Sequence, residues 1–178
     1  MHLIIAEKHD AAKRIAQILA GSKPGSKRVE GVDTYCFGDK VVMGLSGHIV
    51  GVDYPQGYNN WQKVDCKDLI RAEIVVRPIQ EKIIAALKSL GKKADRITIA
   101  TDYDREGELI GVEALKIAQE ANPGLHADRV RYSAIVKEEI LKAFKDSGKV
   151  DYCLAASGEA RQIIDLVWGA ALTRYISL

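Results

Sequence analysis

Arg96-Ile97-Thr98-Ile99-Ala100 runs straight into Thr101-Asp102-Tyr103-Asp104-Arg105-Glu106-Gly107-Glu108, and an apolar-periodic stretch then continues to Ala121. The first five residues have the length and β-branched content of a buried strand. The last stretch repeats its apolar positions at helical spacing until Asn122-Pro123-Gly124 breaks it. This is a strand, an acidic loop and a helix in immediate succession. In a parallel α/β sheet, ligands bind at the carboxyl ends of the strands, which is where this loop lies.

The same alternation extends in both directions. Leu3-Ile4-Ile5-Ala6 is a strand ending at Glu7, with Asp10 as the N-cap of a helix carrying Ala12, Ile15 and Leu19 and stopped by Gly21. Residues 32–37 and 40–45 form a hairpin around Gly38-Asp39. Residues 73–77 are strand-like. Pro78 suits the first turn of a helix striped by Ile79, Ile83, Leu87 and Leu90 and closed by Gly91. A fourth short strand is expected at 130–132 and a helix at 136–144. The fold class is therefore α/β, with a Rossmann-like, mostly parallel sheet of about four strands flanked by helices, and a β-hairpin insertion.

Two segments depart from this rhythm. Residues 47–61, rich in Gly, Tyr, Asn and Pro, read as a long surface loop. Residues 160–172 are helical and apolar on nearly every side, which predicts burial. The expected organisation is a domain over 1–150, with 151–178 beginning a following helical domain of a longer protein.

Composition narrows the class. The 178 residues are 47% hydrophobic and 28% charged, enough to bury a core and too apolar for disorder. No apolar run approaches the ~20 residues of a membrane span, and no signal peptide is visible. Twenty-six Lys and Arg against 24 Asp and Glu give a formal charge of +2, which neither requires nor excludes a nucleic acid partner. Cys36, Cys66 and Cys153 lack metal-ligand spacing and read as reduced cysteines of an intracellular protein.

Asp102, Asp104 and Glu106 bring several negative charges together, which costs energy unless a cation joins them. Mg²⁺ takes carboxylate oxygens, keeps waters and bridges to phosphate. The competing reading is an acidic helix N-terminus favoured by the helix dipole, with Asp102 as a plain N-cap. Glu7-Lys8 ends another strand. By residue type it reads equally as solvated surface or as a general acid–base group beside a phosphate contact. The chain has no GxGxxG after its first strand and no GxxxxGK[ST], so dinucleotide and P-loop readings lack their phosphate cradles. Ser46-Gly47-His48 has no third member to make a triad.

Asp102-Tyr103-Asp104-Arg105-Glu106-Gly107-Glu108 resembles the DxDREGE signature of type IA DNA topoisomerases. Ala6-Glu7-Lys8 is similar to that family's Toprim glutamate with its following lysine, and Gly47-His48-Ile49 to its GHL segment. Glu159-Ala160-Arg161-Gln162 through Leu172-Thr173-Arg174 resembles the start of the domain that follows Toprim. The resemblance implies a Toprim fold and Mg²⁺-dependent cleavage, passage and religation of DNA, with Mn²⁺ able to substitute. It implies metal binding by Asp102, Asp104 and Glu106. It further implies proton transfer at the 3′ oxygen by Glu7 and phosphate stabilisation by Lys8. Arg105 would pair with a carboxylate or a phosphate, Glu108 would be structural, and His48 would order its loop or face DNA. The partners implied are single-stranded DNA at the cleavage site and the remaining topoisomerase domains, which carry the nucleophilic tyrosine. No membrane is implied, and the setting is cytoplasmic, with the nucleoid. None of the seven tyrosines lies in a segment resembling the nucleophile's motif. A self-contained Toprim nuclease or primase-like protein, and a non-catalytic DNA-binding Toprim module, are the alternatives.

Overall fold

The strand His2–Ala6 (β1) is buried at all five positions. A sequence with no polar side to turn to water needs cover on both faces and partners at both edges. The computed structural model, which describes residues 1–58, 60 and 62–177, provides both. β1 pairs in parallel with Lys40–Gly44 (β4) on one side and Arg96–Ala100 (β7) on the other. His126–Arg129 (β8) adds in parallel to β7. Beyond β4, Val32–Phe37 (β3) and Gly25–Val29 (β2) continue the sheet antiparallel, giving the order β2-β3-β4-β1-β7-β8. The four parallel strands and the hairpin addition match the expected class.

Alternation along β1 sorts the core. Leu3 and Ile5 join Met43, Ile97 and Ile99 beneath the helices Glu81–Gly91 (α3) and Arg105–Ala121 (α4), through Ile83, Leu87, Ile110 and Leu115. Ile4 and Ala6 join Val42 and Ala100 beneath His9–Ala20 (α1) and Lys137–Lys145 (α5), through Ile15, Ala16, Ile140 and Ala143.

Several local expectations are corrected. The last strand of the sheet is β8, not 130–132. Its edge position tolerates the polar sequence His-Ala-Asp-Arg, while the apolar Val130 and Tyr132 just after it are buried in the core. The segment 47–61 contains a strand, Val50–Asp53 (β5), paired antiparallel with Val75–Pro78 (β6) in a separate two-stranded sheet. Asn59 and Trp61 of that segment lie outside the described residues. Pro78 ends β6 instead of starting a helix, because Ile79 and Gln80 donate their backbone N–H groups to the Ile49 carbonyl before α3 begins. α1 starts one residue before Asp10, so Asp10 sits in its first turn and Lys8 is the N-cap. The helix Cys66–Arg71 (α2) carries a reciprocal cap between Asp65 and Asp68 that the sequence reading missed.

The final helix, Tyr152–Ser177 (α6), packs against α4 and α2. The burial expected over 160–172 is not realised within this chain: Trp168 is 66% exposed, and Ile164 and Leu172 on the same side are exposed as well. The described residues include no helix long and apolar enough to cross a membrane.

Candidate active site

Three carboxyl ends of parallel strands meet at one edge of the sheet. β1 delivers Glu7 and Lys8, β7 delivers Asp102, and the turn after β4 delivers His48. Leu45 donates its N–H to the Ala6 carbonyl at 2.9 Å and Gly47 to the Glu7 carbonyl at 3.3 Å, so the His48 turn is tied to the end of β1. Gly44 permits this, since a Cβ there would lie 2.5 Å from the His9 Cα.

The acidic loop owes its shape to a small set of contacts. Asp104 is the N-cap of α4, its Oδ1 accepting from the Gly107 N–H at 2.7 Å. The cap is thus Asp104, not Asp102. Thr101 Oγ1 donates to the Gly107 carbonyl at 2.6 Å. The Asp102 backbone lies across the first turn of the helix so closely that a Cβ on Gly107 would meet the Asp102 carbonyl oxygen at 2.2 Å. Arg129, at the end of β8, reaches beneath the loop. Its Nε donates to Glu108 Oε2 at 2.7 Å, its Nη1 to the Thr101 carbonyl at 2.8 Å, and its Nη2 to the Asp102 carbonyl at 2.7 Å. Both members of the Arg129–Glu108 pair are 0% exposed. The second Glu108 oxygen accepts from the Asp151 N–H at 2.8 Å. Glu108 is therefore structural, and Arg129 is a supporting residue that sequence reading did not single out. Nothing in the local sequence His126-Ala127-Asp128-Arg129-Val130-Arg131 set it apart from its charged neighbours.

Glu7 Oε2 faces the Asp102 N–H at 3.4 Å. Burial raises the Glu7 pKa above its usual range and the Asp102 charge raises it further, with Asp104 adding a smaller push in the same direction. The Asp102 N–H bond and the Lys8 ammonium oppose them. The result is a carboxyl with increased hold on a proton, at the end of a central strand.

Glu106 points elsewhere. α4 begins at Arg105, and this turns Glu106 toward His48, whose Nε2 lies 3.0 Å from Glu106 Oε1. The His48 Nδ1 is 3.1 Å from Glu113 Oε1, and Glu113 Oε2 accepts from the Ile49 N–H at 3.3 Å. Gln162 of α6 brings its amide nitrogen to 2.9 and 3.2 Å from the two ring nitrogens. Asp102, Asp104 and Glu106, expected to converge, are not gathered in this structure, because Glu106 is drawn to His48. Among the described residues no three His, Cys, Asp or Glu side chains form a group that could hold a metal ion. Asp102 and Asp104 still offer exposed, hard oxygen donors that fit Mg²⁺, close enough to Glu7 to shift its proton affinity. Glu106 fits only on leaving His48.

Arg105 is exposed and lines an open groove with Asp104, Glu106, Leu154, Ser157 and Arg161. The ion pairs found among the described residues do not include it. Lys8 is exposed beside Glu7.

The His48 pKa is raised to about 8, first by the hydrogen bond to Glu113 and then by Glu106, against the lowering effect of burial. The folded protein therefore holds this proton more tightly than the unfolded chain, whose histidine titrates near 6.5. Its contribution to stability is complete below about pH 6.5 and is lost as pH rises through 8. Ring-proton NMR should show a His48 midpoint near 8 that falls in Glu113→Gln. A midpoint unmoved by that substitution would remove Glu113 as the cause.

A family profile described as Toprim domain matches residues 2–135. DNA topoisomerase 1 of Archaeoglobus fulgidus is 50% identical over 99% of this chain, which covers 27% of that protein. DNA topoisomerase 1 of Thermoplasma acidophilum is 46% identical over 99% of this chain, covering 23% of that protein. The structure of full-length topoisomerase I from Thermotoga maritima superposes with a TM-score of 0.58 at 26% identity, over 93% of this chain and 24% of that one. The chain spans about a quarter of the length of these relatives.

Proposed function

Because the chain belongs to the Toprim domain family, we propose that it forms the acid–base and metal-binding half of the cleavage centre of a type IA DNA topoisomerase. The observation that carries this reading is Glu7: a carboxyl at the end of a buried parallel strand, against the backbone of Asp102, with its proton affinity raised by burial and by the acidic loop. The relatives named as DNA topoisomerase 1 align along 99% of the chain, site loops included.

In this reading Glu7 gives a proton to the 3′ oxygen that leaves when one DNA strand is cut, and takes it back on religation. Lys8 faces the scissile phosphate. Asp102, Asp104 and Glu106 would hold Mg²⁺, with Mn²⁺ as a substitute, and a cation held there would supply charge neutralisation at the phosphate. Arg129 keeps the Asp102 backbone in place while charge changes around it. The remaining topoisomerase domains bring the tyrosine that attacks the phosphodiester. The Toprim unit is assigned to 1–150, and 151–178 to the start of the domain that follows.

Mn²⁺ titration followed by electron paramagnetic resonance tests the assignment. The wild type should bind weakly, and Asp102→Asn and Asp104→Asn should each weaken binding by about tenfold, since each removes a charged donor from the shell. Equal binding by all three proteins would overturn the metal assignment. Mn²⁺-dependent nicking of plasmid by the 178-residue chain alone, abolished in Glu7→Gln, would replace the topoisomerase reading with a nuclease.

A further inference from the structure

Tyr103 stands between the two aspartates of the acidic loop and is 57% exposed. Neither the cap of α4 nor the Arg129 brace uses it. The Arg131 guanidinium lies 5.3 Å from the ring centroid, and Arg131 is itself anchored by a bond from Nη2 to the Lys149 carbonyl at 3.0 Å. In front of the ring is a groove of about 340 Å³, walled by Asp102, Tyr103 and Asp104 on one side and Tyr132–Ile135 on the other. A tyrosine held by a cation beside an open groove is a stacking platform: the guanidinium fixes the ring, and the ring keeps a surface for a second planar group.

We propose that Tyr103, backed by Arg131, stacks one unpaired DNA base next to the phosphate on which Glu7 acts. This rests on the topoisomerase reading and names a base contact for it. The charges select a base over a phosphate as the occupant. Asp102 and Asp104 form the same wall as Tyr103 and repel an anion, whereas a neutral base carries no such penalty. The duplex is excluded as well, because a stacked base has no free face to offer the ring. The occupant is therefore a nucleotide of single-stranded DNA, its base in the groove against the Tyr103 ring. Stacking is sequence-tolerant, so this contact positions the strand without reading it.

The test is fluorescence anisotropy with the 178-residue chain and short single-stranded oligonucleotides, intact or carrying one abasic site at successive positions. Tyr103→Ala should weaken binding of the intact strand by about tenfold, in line with base–aromatic stacking, and Tyr103→Phe should bind within about twofold of wild type because it keeps the ring. At one position the abasic strand should lose as much with wild type and lose nothing further with Tyr103→Ala. Arg131→Gln should give a smaller loss. Since Tyr103 is exposed, the thermal transition of each variant should match wild type, which separates lost stacking from unfolding. If Tyr103→Ala binds as wild type while Arg131→Gln does not, the groove holds a phosphate and the stacking proposal is overturned, with the topoisomerase reading intact. If no protein, wild type included, binds single-stranded DNA, the stacking proposal is overturned, while the topoisomerase reading is judged separately by the Mn²⁺ titration.

Discussion

Replacing Arg129 with methionine is expected to lower the unfolding free energy by about 3–5 kcal/mol, the cost of leaving a buried partner charge uncompensated. The partner is Glu108, whose side chain is 0% exposed and whose ion pair among the described residues is with Arg129. The same substitution frees the buried Thr101 carbonyl and the part-buried Asp102 carbonyl, which lose their donors. Denaturant titration by circular dichroism measures the loss. A double substitution, Arg129→Met with Glu108→Leu, should recover a good part of it, because removing both charges of a buried pair costs far less than removing one. A single-variant loss below about 1 kcal/mol would mean that Glu108 finds water or changes its protonation state, and that the brace is not what holds the loop.

The second large effect is chemical. On the proposed reading, Glu7→Gln in a topoisomerase that contains this chain should slow strand cleavage and religation by about 10²–10⁴-fold, the usual contribution of a positioned acid–base group. Glutamine keeps the shape and still accepts from the Asp102 N–H, but it has no proton to give. DNA binding and the thermal transition should both survive, because Glu7 makes no buried ion pair. Plasmid relaxation with parallel gel-shift measurement separates the two readouts. Relaxation at the wild-type rate would reduce Glu7 to a packing residue.

The central architecture was legible because it rests on burial. Strands β1, β4 and β7 are apolar runs, and β1 and β7 lead into helices α1 and α4 with apolar spacing, so period and length identify them. The elements that were missed or misread are those whose residues do not announce their environment. β2 is Gly-Ser-Lys-Arg-Val, a solvent-facing edge strand held by its neighbour β3. β5 pairs with a segment more than twenty residues away, which no local pattern encodes. In the site, residue types and strand-end placement pointed to Glu7 and to the Asp102–Glu106 loop. Where Glu106 points was not legible: it depends on α4 starting at Arg105 and on a histidine arriving from another strand. Arg129 escaped for the same reason, since its role lies entirely in groups distant in sequence.

Gly158 of α6 touches α4 so closely that a Cβ there would sit 2.7 Å from the Arg105 carbonyl oxygen. The helix is held further along as well: Gln162 brings its amide nitrogen to 2.9 Å from His48 Nε2, the ring that also meets Glu106, and the Ala171 carbonyl accepts from Cys66 Sγ of α2 at 3.8 Å. Pinned along its length in this way, α6 sets where Gln162 meets the His48 ring, so the segment that follows the sheet takes part in fixing the resting place of Glu106.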